Sequence, residues 1–233
     1  MKRLITIIAI ALPLAVLGQT PSVGVDTFGG QFLTNAKSRP SKLSLWYRRP
    51  ATVWTEALPI GNGRLGAMIF GGIEGERIQL NEDTLWGGSP YDPSNPEALQ
   101  ALPEVRKLVF EGKYKEAEAL IQAKMMSKPL KQMPYQTIGD LRLAFPSVNE
   151  VSDYRRELDL NSAISTVNYK TDGVEFKREI FATAVDNVIV LRLTANKPGQ
   201  VSFSAAMQSP QKGSVSIDGG NTLVLDGRNG SYL

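Results

Sequence analysis

Between residues 138 and 225, apolar residues recur at every second position in short runs cut by turn signals, the pattern of antiparallel strands. Leu141, Leu143 and Phe145 alternate with Arg142 and Ala144 until Pro146 ends the run. A strand is expected over 154–160. Residues 163–169 and 174–181 flank Lys170-Thr171-Asp172-Gly173, a hairpin signal. In the second of these runs Val174, Phe176 and Ile180 share one face while Glu175, Lys177 and Glu179 share the other, as in a sheet with one solvated side. Residues 187–194 are nearly apolar on both faces and are expected as a central strand. Lys197-Pro198-Gly199 then turns the chain into a run with Val201, Phe203, Ala205 and Met207 on one face. Residues 215–217 and 222–225 form a further hairpin around Asp218-Gly219-Gly220. The expected fold is mainly β, a large antiparallel sandwich.

Upstream, residues 54–86 crowd six glycines, at 61, 63, 66, 71, 72 and 75, around a buried-strand candidate at 65–70. The block reads as a hairpin whose polar rim carries Asn81, Glu82, Asp83 and Trp86. Its GNGRLG segment lacks what a phosphate loop requires, a following helix or a GK[ST] ending. The next ten residues, GGSPYDPSNP, form a loop with Tyr91 near its tip.

The period then changes to 3.6. Pro103 sits near a helix start, Val105, Leu108 and Val109 form a stripe, and Gly112 ends it; a second helix is expected over 113–126. The pair is expected to lie against a sheet, with its stripe in ordinary core contact. Before all this, residues 20–44 lack periodicity and read as a leader or extended segment, and the fold starts at Leu45-Trp46-Tyr47.

The 233-residue chain has no cysteine and no histidine. Disulfides, Cys/His zinc sites and histidine base catalysis are therefore excluded. The formal charge is +3, or +1 without Lys2 and Arg3, so neither a nucleic acid nor a membrane surface is indicated as a partner. Residues 1–18, with a basic head and an apolar run to Leu17, have the pattern of a signal peptide; the run is too short for a membrane span. The product is expected to be exported, periplasmic or extracellular. Residues 19–44 follow as the leader or extended segment and 45–233 as a β-sandwich domain. The end at Leu233, without a terminal cap, is expected to leave the last strand or strands elsewhere.

Carboxylates, amides and aromatics are left to carry any chemistry. Glu82 and Asp83 are a poor catalytic pair, because neighbours in a strand face opposite ways. Asn81, Glu82, Asp83 and Trp86 read either as a sugar-recognising rim or as an Asx-type turn with Trp86 plugging the sheet edge. Tyr91, Tyr135 and Gln136 lie in polar-aromatic loops suited to the same rim. Arg155, Arg156 and Arg178 read either as binding carboxylates or as solvating the sheet edges, with solvation favoured. No catalytic residue, cofactor site or metal site is assigned.

Five blocks carry a resemblance: LPIGNGRLGAMIFGG (58–72), ERIQLNEDTLWGG (76–88), MPYQTIGDLRLAF (133–145), YRRELDLNSAISTVNY (154–169) and the stretch from REIFAT to DNVIVLRLTA (178–195). Together they resemble the N-terminal region of glycoside hydrolase family 95, over roughly residues 43–230. The resemblance implies a β-super-sandwich that precedes an (α/α)₆ barrel in inverting α-L-fucosidases, some relatives acting on α-L-galactosides. In that family the general acid and the water-activating residues lie in the barrel, and no position here matches them. A scaffold with a possible rim for a barrel on the same polypeptide, acting on a fucosylated glycan, is one reading. An independent carbohydrate-binding module or a purely structural interdomain or dimerisation domain are the others.

Overall fold

The computed structural model describes residues 4–9, 29–33, 43–88 and 90–230. Most of the expected leader and of the segment 19–44 lies outside these residues. In chain order the elements are β1 (Leu4–Ala9), β2 (Gln31–Phe32), β3 (Ser44–Tyr47), a 3-10 turn (Trp54–Glu56), β4 (Leu58–Gly61), β5 (Leu65–Ile69) and β6 (Gly75–Glu82). Two helices follow, α1 (Ala98–Phe110) and α2 (Tyr114–Lys124), then β7 (Gly139–Ala144), β8 (Glu150–Asp159), β9 (Ile164–Thr171) and β10 (Val174–Thr183). The described chain closes with β11 (Val188–Ala195), β12 (Ser204–Gln208), β13 (Lys212–Asp218) and β14 (Thr222–Arg228).

Two sheets form a sandwich. One has the order β12-β7-β6-β5-β4, and the other β11-β10-β9-β8-β2 with β3 also on β8. A smaller sheet runs β1-β14-β13. Among the described residues, those from 86 to 135 cluster as one compact unit and those before 86 together with 136–229 as a second.

The core fills from the inward faces. Leu58 and Ile60 of β4, Ala67 and Ile69 of β5, Ile78 and Leu80 of β6 and Leu141 and Leu143 of β7 meet Leu158, Ile180, Met207 and Leu225. At roughly 25 cal/mol per Å² of apolar surface removed from water, this packing is the main stabilising term in a chain without disulfides. A second cluster gathers Ile73, Val151, Tyr154, Val167 and Tyr169.

Turn chemistry fixes the register. Thr171 pairs with Val174, leaving Asp172 (φ 49°) and Gly173 (φ 68°) as a two-residue hairpin turn with both residues left-handed. The block at 54–86 differs from the expected single hairpin: β4, β5 and β6 form a three-stranded meander, since Leu58 and Ile60 alternate inward and make a strand of their own. Residues 188–195 are also placed differently. β11 is an edge strand, with Arg192 exposed, and the expected central role belongs to β9 and β10.

Arg155, Arg156 and Arg178 are buried rather than solvating the sheet, and Arg155 and Arg178 bind the carboxylates of Glu157 and Glu76. Arg178 has the parity of Val174, Phe176 and Ile180 and therefore enters the interior. A bulge between Ser152 and Arg155 makes Tyr154, Arg155 and Arg156 consecutively buried, with Asp153 left-handed (φ 54°). Arg156 donates from Nε to the Arg49 carbonyl (2.7 Å) and from Nη1 to the Glu56 carbonyl (2.6 Å), tying β8 to the loop before β4.

In the inserted unit α1 starts at Ala98, so Pro103, expected near a helix start, lies inside the second turn. α1 and α2 bury Val105 and Ala117, whereas Val109 and Tyr114 of the expected stripe remain exposed, as do Leu99 and Phe110 outside it.

Candidate functional site

The inward face of β6 reads Glu76, Ile78, Leu80, Glu82, a carboxylate at each end of an apolar pair. Glu82 is 3% exposed, and its carboxylate is fully engaged by neighbours. Oε1 accepts from Arg64 Nε (2.9 Å), while Oε2 accepts from the Thr84 backbone amide (3.0 Å) and hydroxyl (2.7 Å). Burial pushes the Glu82 pKa upward, but the Thr84 and Arg64 hydrogen bonds outweigh it and hold the group below its ordinary value. A carboxylate so held is an anchor and a poor proton donor.

Glu82 also caps the turn that follows, through Thr84, and the Leu85 amide donates to the Glu82 carbonyl (3.2 Å). Asp83 is exposed, opposite in burial to its neighbour Glu82, and its amide donates to the Arg64 carbonyl (3.0 Å). Asn81 is half-buried and pairs with Gly66 across β5.

The β4–β5 turn beside this rim is fixed by Asn62. Its Oδ1 accepts from the amides of Arg64 (3.0 Å) and Leu65 (2.7 Å), and its Nδ2 donates to the Thr183 carbonyl (2.8 Å) and Asn187 Oδ1 (3.2 Å). One amide thus joins turns from the two sheets of the sandwich. The GNGRLG segment is this turn, with Gly63 at φ 95°, and no helix follows it.

Gln136 lies on the same unit, with its amide donating to the Leu85 carbonyl (2.9 Å). Its side chain is 5% exposed, and neither amide atom has a hydrogen-bond partner among the described residues. A buried orphan amide destabilises by about 1–3 kcal/mol.

Trp86, Tyr91 and Tyr135 belong to the inserted unit. Trp86 and Tyr135 form an isolated bridge and meet edge to face, centroids 5.0 Å apart at 64°, and the Gly87 amide donates to the Pro134 carbonyl (2.9 Å). Both rings stay accessible, Trp86 at 49% and Tyr135 at 41%. The two rings present aromatic surface of the kind sugars stack on. Tyr91 is half-buried.

The seven candidates thus divide between two units: Asn81, Glu82, Asp83 and Gln136 on the sandwich, Trp86, Tyr91 and Tyr135 on the insertion. None of them lines the cleft of about 180 Å³ found among Phe145, Val148, Tyr169, Phe176, Leu193 and Val201. Among the described residues, no three His, Cys, Asp or Glu side chains converge as metal ligands, and no helix is long and apolar enough to cross a membrane. Arg64 is the residue that sequence reasoning missed. Its only signal was cross-strand: Leu65 pairs with Glu82, which brings position 64 to the end of β6.

Residues 45–231 match the family model described as glycosyl hydrolase family 65, N-terminal domain. The chain is 46% identical over 175 residues to alpha-L-fucosidase 2 of Arabidopsis thaliana, covering 74% of this chain and 20% of that protein. It is 32% identical over 200 residues to a probable alpha-fucosidase A of Aspergillus niger, covering 79% and 24%. A probable alpha-fucosidase A of Aspergillus oryzae is 28% identical over 161 residues, covering 65% and 22%. The chain spans only about a fifth to a quarter of the length of these relatives.

Proposed function

The chain belongs to the family of glycosyl hydrolase family 65 N-terminal domains, and from that premise we propose that it is the non-catalytic sandwich of an exported inverting α-L-fucosidase of glycoside hydrolase family 95. In this reading the sandwich is a scaffold for an (α/α)₆ barrel carried by the same polypeptide, with Asn81, Glu82, Asp83 and Gln136 of the sandwich and, separately, Trp86, Tyr91 and Tyr135 of the insertion as rim candidates. The glycan substrate is a fucoside or a related L-galactoside.

The observation that carries the reading is the 46% identity to a protein named as an alpha-L-fucosidase, confined to a fifth of that protein's length. The chemistry of the rim agrees with a supporting role. Glu82 is held ionised by three hydrogen bonds and is shut away from solvent, so it is unsuited to general acid catalysis. The accessible Trp86–Tyr135 pair suits contact with a pyranose face.

Two measurements test this. Sequencing the coding region beyond Leu233 should reveal an in-frame barrel, and a stop codon with no barrel following would remove the parent-enzyme reading. The complete polypeptide should hydrolyse an aryl α-L-fucoside with inversion, and the 233-residue chain should not. Fucosylated-glycan binding by the 233-residue chain alone would favour an independent binding module instead.

A further inference from the structure

We propose that Arg64 is a specificity-determining residue, a guanidinium aimed by buried Glu82 so that its two terminal nitrogens donate to adjacent hydroxyl oxygens of the sugar. The inference rests on the glycosidase reading and adds to it a residue and the chemistry that residue recognises.

Three observations carry it. The Arg64 Nε is committed to Glu82 Oε1 at 2.9 Å, with side-chain exposures of 62% for Arg64 and 4% for Glu82. One end of the guanidinium is thus anchored inside the sandwich while the rest faces outward. Among the described residues Nη1 and Nη2 have no hydrogen-bond partner, which leaves a planar fork of four N–H donors.

The backbone beneath the fork is fixed as well. Asn62 holds the Arg64 amide and simultaneously grips Thr183 and Asn187 of the opposite sheet, and the Arg64 carbonyl accepts from the Asp83 amide. Glu82 is itself clamped by both donors of Thr84. The usual loss of side-chain entropy on binding is therefore largely incurred already in folding.

A plain surface salt bridge is the competing explanation. Such pairs contribute about 0–1 kcal/mol, and a lysine at position 64 could also neutralise Glu82. What lysine cannot do is hold the carboxylate with one nitrogen and present two more in a plane. Adjacent sugar hydroxyls match that fork.

Arg64→Lys separates the two explanations. In the complete polypeptide we expect KM for an aryl α-L-fucoside to rise about tenfold with kcat within about twofold and Tm unchanged. Unchanged KM in both Arg64→Lys and Arg64→Ala would overturn the proposal. Arginine side-chain NMR on the complete polypeptide gives a readout independent of turnover. Methyl α-L-fucoside should shift the Arg64 Nε–H and Nη signals saturably, with the Asp83 and Thr84 amides, and Arg64→Lys should abolish the amide shifts.

Hydrolysis with an Arg64 that neither shifts nor alters KM defeats this inference alone. Absence of hydrolysis by the complete polypeptide defeats the fucosidase reading. Arg64 is then judged by whether a neutral monosaccharide shifts its signals, and their insensitivity to fucoside, L-galactoside and galactoside would defeat it too.

Discussion

Arg178 Nη1 donates to Glu76 Oε2 at 3.0 Å across the sandwich, joining β10 of one sheet to β6 of the other with side-chain exposures of 3% and 0%. The guanidinium also donates to the carbonyls of Gly72 and Ile73 and to the Tyr169 hydroxyl, and lies 3.9 Å from the Phe145 ring centroid. The second carboxylate oxygen of Glu76 accepts from the Gly71 amide (2.8 Å). The pair therefore serves the backbone of the β5–β6 connection, whose carbonyls would otherwise be buried without donors.

Removing one partner leaves the other charged and buried. Arg178→Met should destabilise the chain by about 3–5 kcal/mol. Arg178→Met with Glu76→Leu should be less destabilising than the sum of the two single changes, because the stranded charge is gone. Urea unfolding of the three variants checks this, and strict additivity would show that the pair is uncoupled.

Gly71 sits in the same connection at φ 75°, and a Cβ there would come within 2.7 Å of the Tyr154 hydroxyl and 2.9 Å of Arg156 Cδ. The Tyr154 hydroxyl already donates to the Gly71 carbonyl (2.6 Å). Gly71→Ala combines left-handed strain with displacement of two buried side chains, and a loss of roughly 2–4 kcal/mol is expected. Gly63→Ala, also at positive φ but with nothing within 4 Å, should lose only the backbone part, about 1–2 kcal/mol. Thermal denaturation should rank Gly71→Ala well below Gly63→Ala.

Glu82 makes stability depend on acid. Its folded pKa lies below the unfolded value of about 4.3, so its contribution is fully present above that value and disappears as pH falls through the lower folded pKa. Comparing wild type with Glu82→Gln at neutral pH and near pH 3 should show a stability gap that narrows in acid. A gap independent of pH would mean that the charge of Glu82 contributes nothing.

Ala163, at the end of the β8–β9 turn, adopts φ 56°, a region unfavourable for a residue with a Cβ. Its amide donates to the Asp159 carbonyl (2.8 Å), so the turn is well formed despite the strain. Ala163→Gly should stabilise by about 0.5–1 kcal/mol, raising Tm by about 1–4 °C. An unchanged or lower Tm would place the cost of glycine flexibility above the strain relieved.

Alternation and turn chemistry made the strands of the second half legible: 163–169 and 174–181 are β9 and β10 almost as read, because a period of two and an Asp-Gly turn are local properties. The sheet position of β11 was not local, since an apolar run reads alike whether it has neighbours on one side or both. At the candidate site, the residue types at 81–86 were visible, but the role of Glu82 was not. Its meaning comes from Arg64, eighteen positions earlier and adjacent only through the β5–β6 register.

The sequence by itself determined a chain without thiol or imidazole chemistry, built of alternating strands, and carrying motif blocks that resemble fucosidase N-terminal regions. Tertiary structure alone decided which polar residues enter the interior. Parity put Arg178 inside, a bulge put Tyr154, Arg155 and Arg156 together, and the pairing of two sheets brought Glu76 and Asn62 their partners. The physical reason is that burying a charge or an amide is favourable only when distant strands supply its hydrogen bonds, and those partners are fixed by the fold rather than by spacing along the chain.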